Sequence, residues 1–406
     1  MSRFDSRRRL AALAAACGIA WAGGVRADAA DAFNFAVGRS LMRDDNIFRL
    51  SGDADAAALI GTRERGDTVA TTFAGIRFDR LVSRQRLNAS INLSHIRYDR
   101  FRLLDYDARD LKAGWDWELG RHFFGRIAWS KSEALTDFGD FRSPVQNINT
   151  YERRTWGGHF RLHPAWSLGA SAFRADSDNS SPLRETSRYV AEGSEAVLQY
   201  TPRSGNLMAL RLRRTDGRYP NRQLAAGSLI DNSYRQDEIE GSLAWRPSGA
   251  SRIEARLAGV RRRHDEVPLR DFSGAVGRLA WDWTITGKTA LNVTVRREIG
   301  AQEDILSSYV VTRALSLGPT WTPTAKTLVQ AQFEWRERDY LGDPVAGLAG
   351  IEKRQDRLRV ASLSATWMPM TAIQLGMTLR RERRDSNYAG IPYLANVAFL
   401  NAQFSF

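Results

Sequence analysis

Cysteine is almost absent from this sequence. Of the 406 residues only Cys17 is a cysteine, and it lies in a short apolar stretch near the amino terminus. If that stretch is removed after export, the remaining chain has no disulfide framework, no thiolate metal site and no cysteine nucleophile.

Histidine is also scarce, and the five histidines are scattered along the chain. They form no His-x-Glu pair and no Ser/His/Asp grouping at a spacing that serves catalysis. We therefore predict that the protein is not an enzyme and has no cofactor and no metal site; a lipase or deacylase is the enzymatic alternative. The histidines are His95, His122, His159, His163 and His264.

Long hydrophobic runs are missing as well. The one helical apolar stretch, Leu10 to Ala22, follows four arginines and precedes Val25-Arg26-Ala27. This order of charged, apolar and small residues is typical of a secretory signal peptide, which we assign to residues 1–27. The stretch is shorter than the roughly 20 apolar residues that a membrane-spanning helix needs. An exported chain without a later spanning helix could enter only the outer membrane, as strands.

Acidic residues are too few to balance the basic ones, and the formal net charge is +13. Removal of residues 1–27 takes away five arginines and one aspartate, a loss of four charges that leaves +9. In an exported chain such an excess favours an anionic glycan or lipopolysaccharide as partner over nucleic acid.

From residue 31 onward, apolar and polar residues alternate in stretches of strand length. The stretches are separated by connections that are short and long in strict turn. We count about eighteen strands, an even number, as bacterial single-chain barrels require. Residues 28–406 are therefore predicted to form one domain, an all-β, transmembrane, antiparallel up-and-down β-barrel with short periplasmic turns and long external loops. A large soluble all-β protein is the alternative.

The last stretch, Tyr393 to Phe406, shows the two faces most clearly. Phe406, Phe404, Ala402, Leu400 and Ala398 occupy one face, and a mostly polar set occupies the other. A final strand that ends on an aromatic residue resembles the closing strand of an outer-membrane barrel, with its apolar face toward lipid.

Aromatic residues sort by position. Tryptophans such as Trp245, Trp321 and Trp367 lie beside short turns, whereas tyrosines such as Tyr189 and Tyr340 lie beside long loops. We expect two interfacial aromatic belts.

The polar faces of the strands are predicted to line the lumen, because a lipid-facing arginine at mid-membrane would cost about 2–4 kcal/mol. Eighteen strands leave a lumen wide enough for a hydrated chain. The basic residues are expected either to pair across strands or to form a row along which an acidic polymer slides. The basic candidates are Lys112, Arg126, Arg211, Arg213, Arg256, Arg278, Arg296, Arg336 and Arg380; the acidic partners are Asp116, Glu118, Glu195, Glu238, Glu254, Asp282, Glu334 and Glu382.

A cluster of oxygen-bearing residues, Asp44-Asp45-Asn46, follows the first strand. A calcium loop needs more ligands at fixed spacing, so we interpret the cluster as a turn cap. The segment continues through Phe48 and Arg49 to Leu50.

This Asp-Asp-Asn segment, the later Asp67-Thr68, the amino-terminal leader and the carboxyl-terminal Phe406 together resemble one family. It is the EpsL type of exopolysaccharide-locus outer-membrane protein, within the beta-barrel porin-2 group, associated with exosortase and PEP-CTERM clusters. The resemblance implies carriage of extracellular polysaccharide and supplies no catalytic residues.

The predicted function is an outer-membrane pore that exports an anionic polysaccharide. The expected partners are the polysaccharide, outer-membrane lipids and periplasmic export proteins, with no nucleic acid. Two alternatives are a non-conducting barrel that binds glycan at the cell surface and a general solute-uptake porin.

Overall fold

One closed antiparallel sheet of eighteen strands accounts for most of the chain. The computed structural model describes residues 32–140, 144–221, 233–266, 268–301, 309–341 and 352–406. The predicted signal peptide and Cys17 lie outside the described residues. The strands are β1 (Phe33–Asp44), β2 (Asp67–Val82), β3 (Gln85–Tyr98), β4 (Tyr106–Leu119), β5 (Phe123–Leu135), β6 (Ile148–His163), β7 (Trp166–Asn179), β8 (Tyr189–Tyr200), β9 (Leu207–Arg218), β10 (Tyr234–Ser248), β11 (Ser251–His264), β12 (Phe272–Thr284), β13 (Thr289–Ala301), β14 (Tyr309–Thr324), β15 (Thr327–Leu341), β16 (Gln355–Met370), β17 (Ile373–Ser386) and β18 (Tyr393–Ser405).

Helices are few and short. The α-helix α1 (Ala56–Ile60) lies between β1 and β2, and three short 3₁₀ helices lie in other connections (Arg102–Leu104, Pro182–Ser187 and Pro268–Arg270). Asp55 caps α1 through a hydrogen bond from the backbone N–H of Ala58, and Gly61 ends it with a positive φ of 74°. Among the described residues, no helix is both long and apolar enough to cross a membrane.

The barrel closes by pairing its first and last strands. The register between β1 and β18 runs from Ala36 opposite Ser405 to Asp44 opposite Val397. Phe35 and Phe406 exchange two backbone hydrogen bonds of 2.8 and 3.0 Å at the seam. Each strand pairs with its neighbours in sequence, so the prediction of a closed eighteen-stranded up-and-down barrel is confirmed.

Side chains alternate between the outer and inner faces of the wall. On β17, Leu375, Met377 and Leu379 are exposed on the outer face, whereas Thr378 and Arg380 are half-buried on the inner face. The outer positions become charged toward the end of the barrel that carries the long loops. This pattern is expected where the strands extend beyond the apolar band of an outer-membrane barrel.

The aromatic belt at the end with the short turns has the predicted side chains. Trp245, Trp321 and Trp367 are exposed on the outer face. The tyrosines near the long loops differ from the prediction, because Tyr234 and Tyr340 are buried on the inner face. Each has a polar or cationic partner there; the phenol of Tyr340, for example, donates a 2.9 Å hydrogen bond to Asp356.

Replacement of Leu317 by arginine tests the assignment of the faces. Leu317 is exposed on the outer face and lies opposite the apolar Val293 and Phe333. We expect Leu317→Arg to lower the free energy of unfolding from lipid vesicles by about 2–4 kcal/mol. The matched control is Ser316→Arg, one residue away on the inner face beside Glu334, which should change little. Equal destabilisation in the two variants would contradict the assignment.

Candidate functional site

Two of the long connections fold back into the barrel. The first inward loop comprises residues 45–66, and the second comprises residues 136–147, of which 141–143 lie outside the described residues. Phe48 of the first loop packs against Phe138 of the second, with ring centroids 4.7 Å apart. The two loops therefore form one body inside the external half of the barrel.

The first inward loop is held to the wall by an apolar cluster. Phe48 also packs edge-to-face on Phe101, and Ile47 and Leu50 are buried with inward-facing residues of the neighbouring strands, including Ile96. Burial of each large apolar side chain contributes roughly 1.5–3 kcal/mol. The sequence predicted a long external loop at this place. The loop instead lies against the inner wall, because its apolar residues pack there.

The Asp44-Asp45-Asn46 segment makes the tight turn that sends the loop inward. Asp44 accepts a 2.8 Å hydrogen bond from the backbone N–H of Asn46, as in a turn cap. Arg49, in the left-handed region at φ 55°, forms a 2.8 Å ion pair with Asp44. Asn46 donates to the carbonyls of Leu50 and Leu394, and Asp45 accepts from the side chain of Asn396. These polar residues fasten the loop to β18.

The second inward loop crosses the lumen. Asp140 forms ion pairs with Arg338 on β15 at 2.7 Å and with Arg384 on β17 at 3.0 Å. Counted through β1 and β18, β17 lies six strands and β15 eight strands away from β5, where the loop begins. Arg384 also donates a hydrogen bond to the carbonyl of Gly139. The strand number predicted a wide lumen; this bridge narrows it.

The two carboxyl groups of the second loop titrate differently. Burial opposes ionisation of Asp140, but the guanidinium groups of Arg338 and Arg384 outweigh it and hold the pKa of Asp140 below its usual range. Burial raises the pKa of Asp137, and the nearby charge of Asp140 adds to the effect, while Arg49 opposes it. Asp137 is therefore the carboxyl group of the bridge that takes up a proton first as the pH falls.

The inner wall carries a row of arginines across β11 to β15. Arg256, Arg278 and Arg296 lie directly opposite one another on β11, β12 and β13. The same line continues through Ala314 on β14 to Arg336 on β15. Like charges placed opposite each other in a sheet destabilise it unless anions lie between them.

Carboxylates contact the row at Arg296 and Arg336. Glu334 contacts both Arg296 at 2.8 Å and Arg336 at 2.6 Å, and Glu298 approaches Arg296 at 3.7 Å. Arg256 has neither a hydrogen bond nor an ion pair with any residue that the structure describes. Arg256 is thus the member of the row whose charge no described residue pairs.

On the neighbouring strands β8 to β10, the inner-face arginines are paired with glutamates. Arg211 and Arg213 share Glu195, at 3.4 and 2.5 Å. Arg211 also contacts Glu240 at 2.6 Å, and Arg213 contacts Glu238 at 3.3 Å. These side chains are mostly buried and form a continuous network across β8, β9 and β10, so they stiffen the wall and leave little charge for a solute.

The other candidate residues predicted from the sequence also lie on the inner face. They form separate pairs or small groups on different strands and do not make up one site. The contacts are Lys112 with Asp110 at 2.7 Å, Arg126 with Asp116 at 3.3 Å, Glu118 with Arg161 at 3.7 Å, Glu254 with Arg252 at 2.6 Å, Asp282 with Asn292 at 2.6 Å, and Arg380 with Glu382 at 2.6 Å.

The sequence predictions did not include the residues of the bridge among the candidates. Alternation along β15 places Arg338 on the lumen-facing side after Arg336, and a longer reading of β17 would have added Arg384 after Arg380. Nothing in the sequence marks Asp140 as their partner across the lumen. Among the described residues, no three histidine, cysteine or carboxylate side chains are placed to hold a metal ion.

Comparison with known proteins agrees with this architecture. Residues 254–406 match the sequence family described as "Putative beta-barrel porin 2". Among curated proteins, no sequence matches this chain significantly.

Solved structures of similar fold include two proteins of Pseudomonas aeruginosa. OccK1 (OpdK) has a TM-score of 0.50 at 11% identity, over 93% of this chain and 99% of that chain. OccK2 (OpdF) in complex with glucuronate also has a TM-score of 0.50 at 11% identity, over 92% and 98% of the two chains. At this identity the likeness concerns the fold alone. The carboxyl-terminal part of the chain thus matches the porin-2 family, and the whole barrel has the porin-like fold of an outer-membrane protein.

Proposed function

We propose that the protein is an outer-membrane channel that passes an acidic sugar chain along the arginine row. The observation that carries this proposal is the alignment of Arg256, Arg278, Arg296 and Arg336 in one line across β11 to β15 on the inner face. Guanidinium groups bind carboxylates and phosphates through paired hydrogen bonds. A row of such sites holds a polyanion by several weak contacts, so the chain can advance from one site to the next.

As cargo we favour an extracellular polysaccharide, and as direction we favour export. It rests on the resemblance of the Asp44–Leu50 segment to exopolysaccharide-locus proteins, and it would require periplasmic export proteins as partners. The glucuronate complex of OccK2 provides a precedent for a sugar acid bound to a barrel of this fold. Removal of residues 1–27 on export belongs to the same proposal. A general uptake porin would have the same fold.

The cargo is tested by current block in planar bilayers. Oligomers of a hexuronic acid should block the current at concentrations well below those of neutral oligomers of equal length. In a deletion strain, loss of surface polymer with normal solute uptake would support export. Loss of uptake with normal polymer would identify a general porin instead.

Charge reversal in the arginine row should change ion selectivity. We expect Arg256→Glu combined with Arg278→Glu to lower the chloride-to-potassium permeability ratio several-fold, because four units of charge change beside the permeation path. Reversal potentials in a salt gradient measure the ratio. Arg261→Glu with Arg263→Glu is the matched control: both side chains are exposed on the outer face of the same strand, β11. A similar change in both variants would contradict a role for the row.

Selectivity should also depend on pH through Asp137. Its pKa is raised, so its carboxyl group is neutral at acidic pH and ionises as the pH rises. The preference for anions should therefore be greater at about pH 4 than at about pH 8, where the bridge gains a negative charge. Asp137→Asn should fix the high anion preference and flatten this part of the pH dependence. An unchanged pH profile in that variant would refute the assignment.

A second candidate function is a barrel that is closed at rest and binds glycan at its outer end. The observation that favours it is the bridge of the second inward loop, which spans the lumen and is held by Asp140. In this view the loops block passage until a partner moves them.

Replacement of Arg384, which holds the bridge to β17, distinguishes the two candidate functions. Arg384→Met deletes the contacts to Gly139 and Asp140 but keeps much of the side-chain volume. If the barrel is closed at rest, single-channel current should appear only in the variant; if it is an open channel, both proteins should conduct and the variant should fluctuate more. Arg383→Met, on the outer face of the same strand, is the control.

A further inference from the structure

The outer surface of β16 and β17 changes character within two residues. Leu363 lies opposite Leu379, and both are exposed apolar side chains. Two residues farther toward the long loops, the outer position of β17 is Arg381; beyond it, Arg359 lies directly opposite Arg383. We call Arg359, Arg381 and Arg383 the outer arginine patch.

The outer arginine patch lacks sufficient negative charge of its own. Among the described residues, one carboxylate, that of Asp385, serves two of its members, at 3.0 Å from Arg383 and 3.8 Å from Arg359. Arg381 is exposed and has no ion pair or hydrogen bond within the described ranges. Cross-strand pairs of like charge are unfavourable, so an external anion would stabilise this arrangement.

The patch lies at the edge of the apolar band. Trp335, an exposed tryptophan, lies directly opposite Arg359 on β15, and tryptophan side chains are enriched where lipid headgroups begin. Below it are the apolar side chains of Leu363, Leu379 and Met377. The surface thus combines apolar side chains that can contact acyl chains with cationic side chains at the depth of lipid headgroups.

A similar arrangement recurs on another part of the wall. Arg297 of β13 lies directly opposite Arg313 of β14, immediately beyond the outward-facing Val295 and Leu315. The repetition shows that opposed arginines above the apolar band are not confined to one pair of strands.

We propose that the outer arginine patch binds the phosphate groups of a phosphorylated glycolipid in the outer leaflet, with the acyl chains of the lipid against Leu363 and Leu379. Arginine suits this role because its planar fork makes two parallel hydrogen bonds to a phosphate. Three guanidinium groups on two adjacent strands can hold more than one phosphate of the same headgroup. This surface is outside the lumen, so the proposal is independent of the cargo.

The probe is diphosphorylated lipid A added to the full-length protein in detergent, with binding measured by native mass spectrometry. Arg359→Gln with Arg383→Gln should weaken binding at least about tenfold, since each basic residue near an anionic surface contributes about 1 kcal/mol. Arg381→Gln, which removes no ion pair from the described structure, should weaken it several-fold. Fully dephosphorylated lipid A is a second control. Its affinity for the unmodified protein should be no higher than the affinity of the double variant for diphosphorylated lipid A.

The matched control is Arg214→Gln with Arg235→Gln. These outer-face arginines of β9 and β10 have their own carboxylates, Asp237 at 2.7 Å and Asp216 at 3.2 Å, and the control loses the same net charge. It should bind the diphosphorylated lipid as the unmodified protein does. An equal loss in the control, or equal binding of the dephosphorylated lipid, would overturn the proposal. Heat-modifiable gel mobility verifies that each variant forms the barrel. The conductance of the variants should be unchanged, which distinguishes an effect on lipid binding from an effect on the lumen.

Discussion

The hydrocarbon core of a bilayer offers no water to unpaired backbone groups, so every N–H and C=O group there needs a partner within the chain. The pairing of β1 with β18 meets this requirement, because it removes both edges of the sheet. All other features follow from this closure. Once the wall is closed, alternate residues must face either lipid or lumen, and the apolar set faces lipid.

Closure also creates an interior that the strands alone do not fill. The two inward loops occupy part of it, one through the apolar contacts of Phe48 and the other through the ion pairs of Asp140. The contacts of Phe48 involve no titratable group. The ion pairs of Asp140, and the Asp44–Arg49 pair of the first loop, depend on the charge of both partners.

The charges of the wall divide into three groups with different physical roles. The network of Arg211 and Arg213 is balanced by its glutamates and stiffens β8 to β10. The arginine row lies in one line across the inner face of β11 to β15, and its member Arg256 has no ion pair among the described residues. The outer arginine patch lies on the outer face, where Arg359 and Arg383 share the carboxylate of Asp385. Pairing therefore separates structural arginines from those available to a ligand, and sequence periodicity alone cannot distinguish them.

The sequence by itself determined the strands, their number and their two faces, because a period of two residues is a local property that requires no knowledge of neighbours. It also indicated the turn at Asp44-Asp45-Asn46. Tertiary structure alone decided that Arg256, Arg278 and Arg296 lie in one line, since their alignment depends on the register between strands. It alone decided that Asp140 meets Arg338 and Arg384 across the lumen. These contacts join residues far apart in the chain, and they exist only because the wall curves until its ends meet.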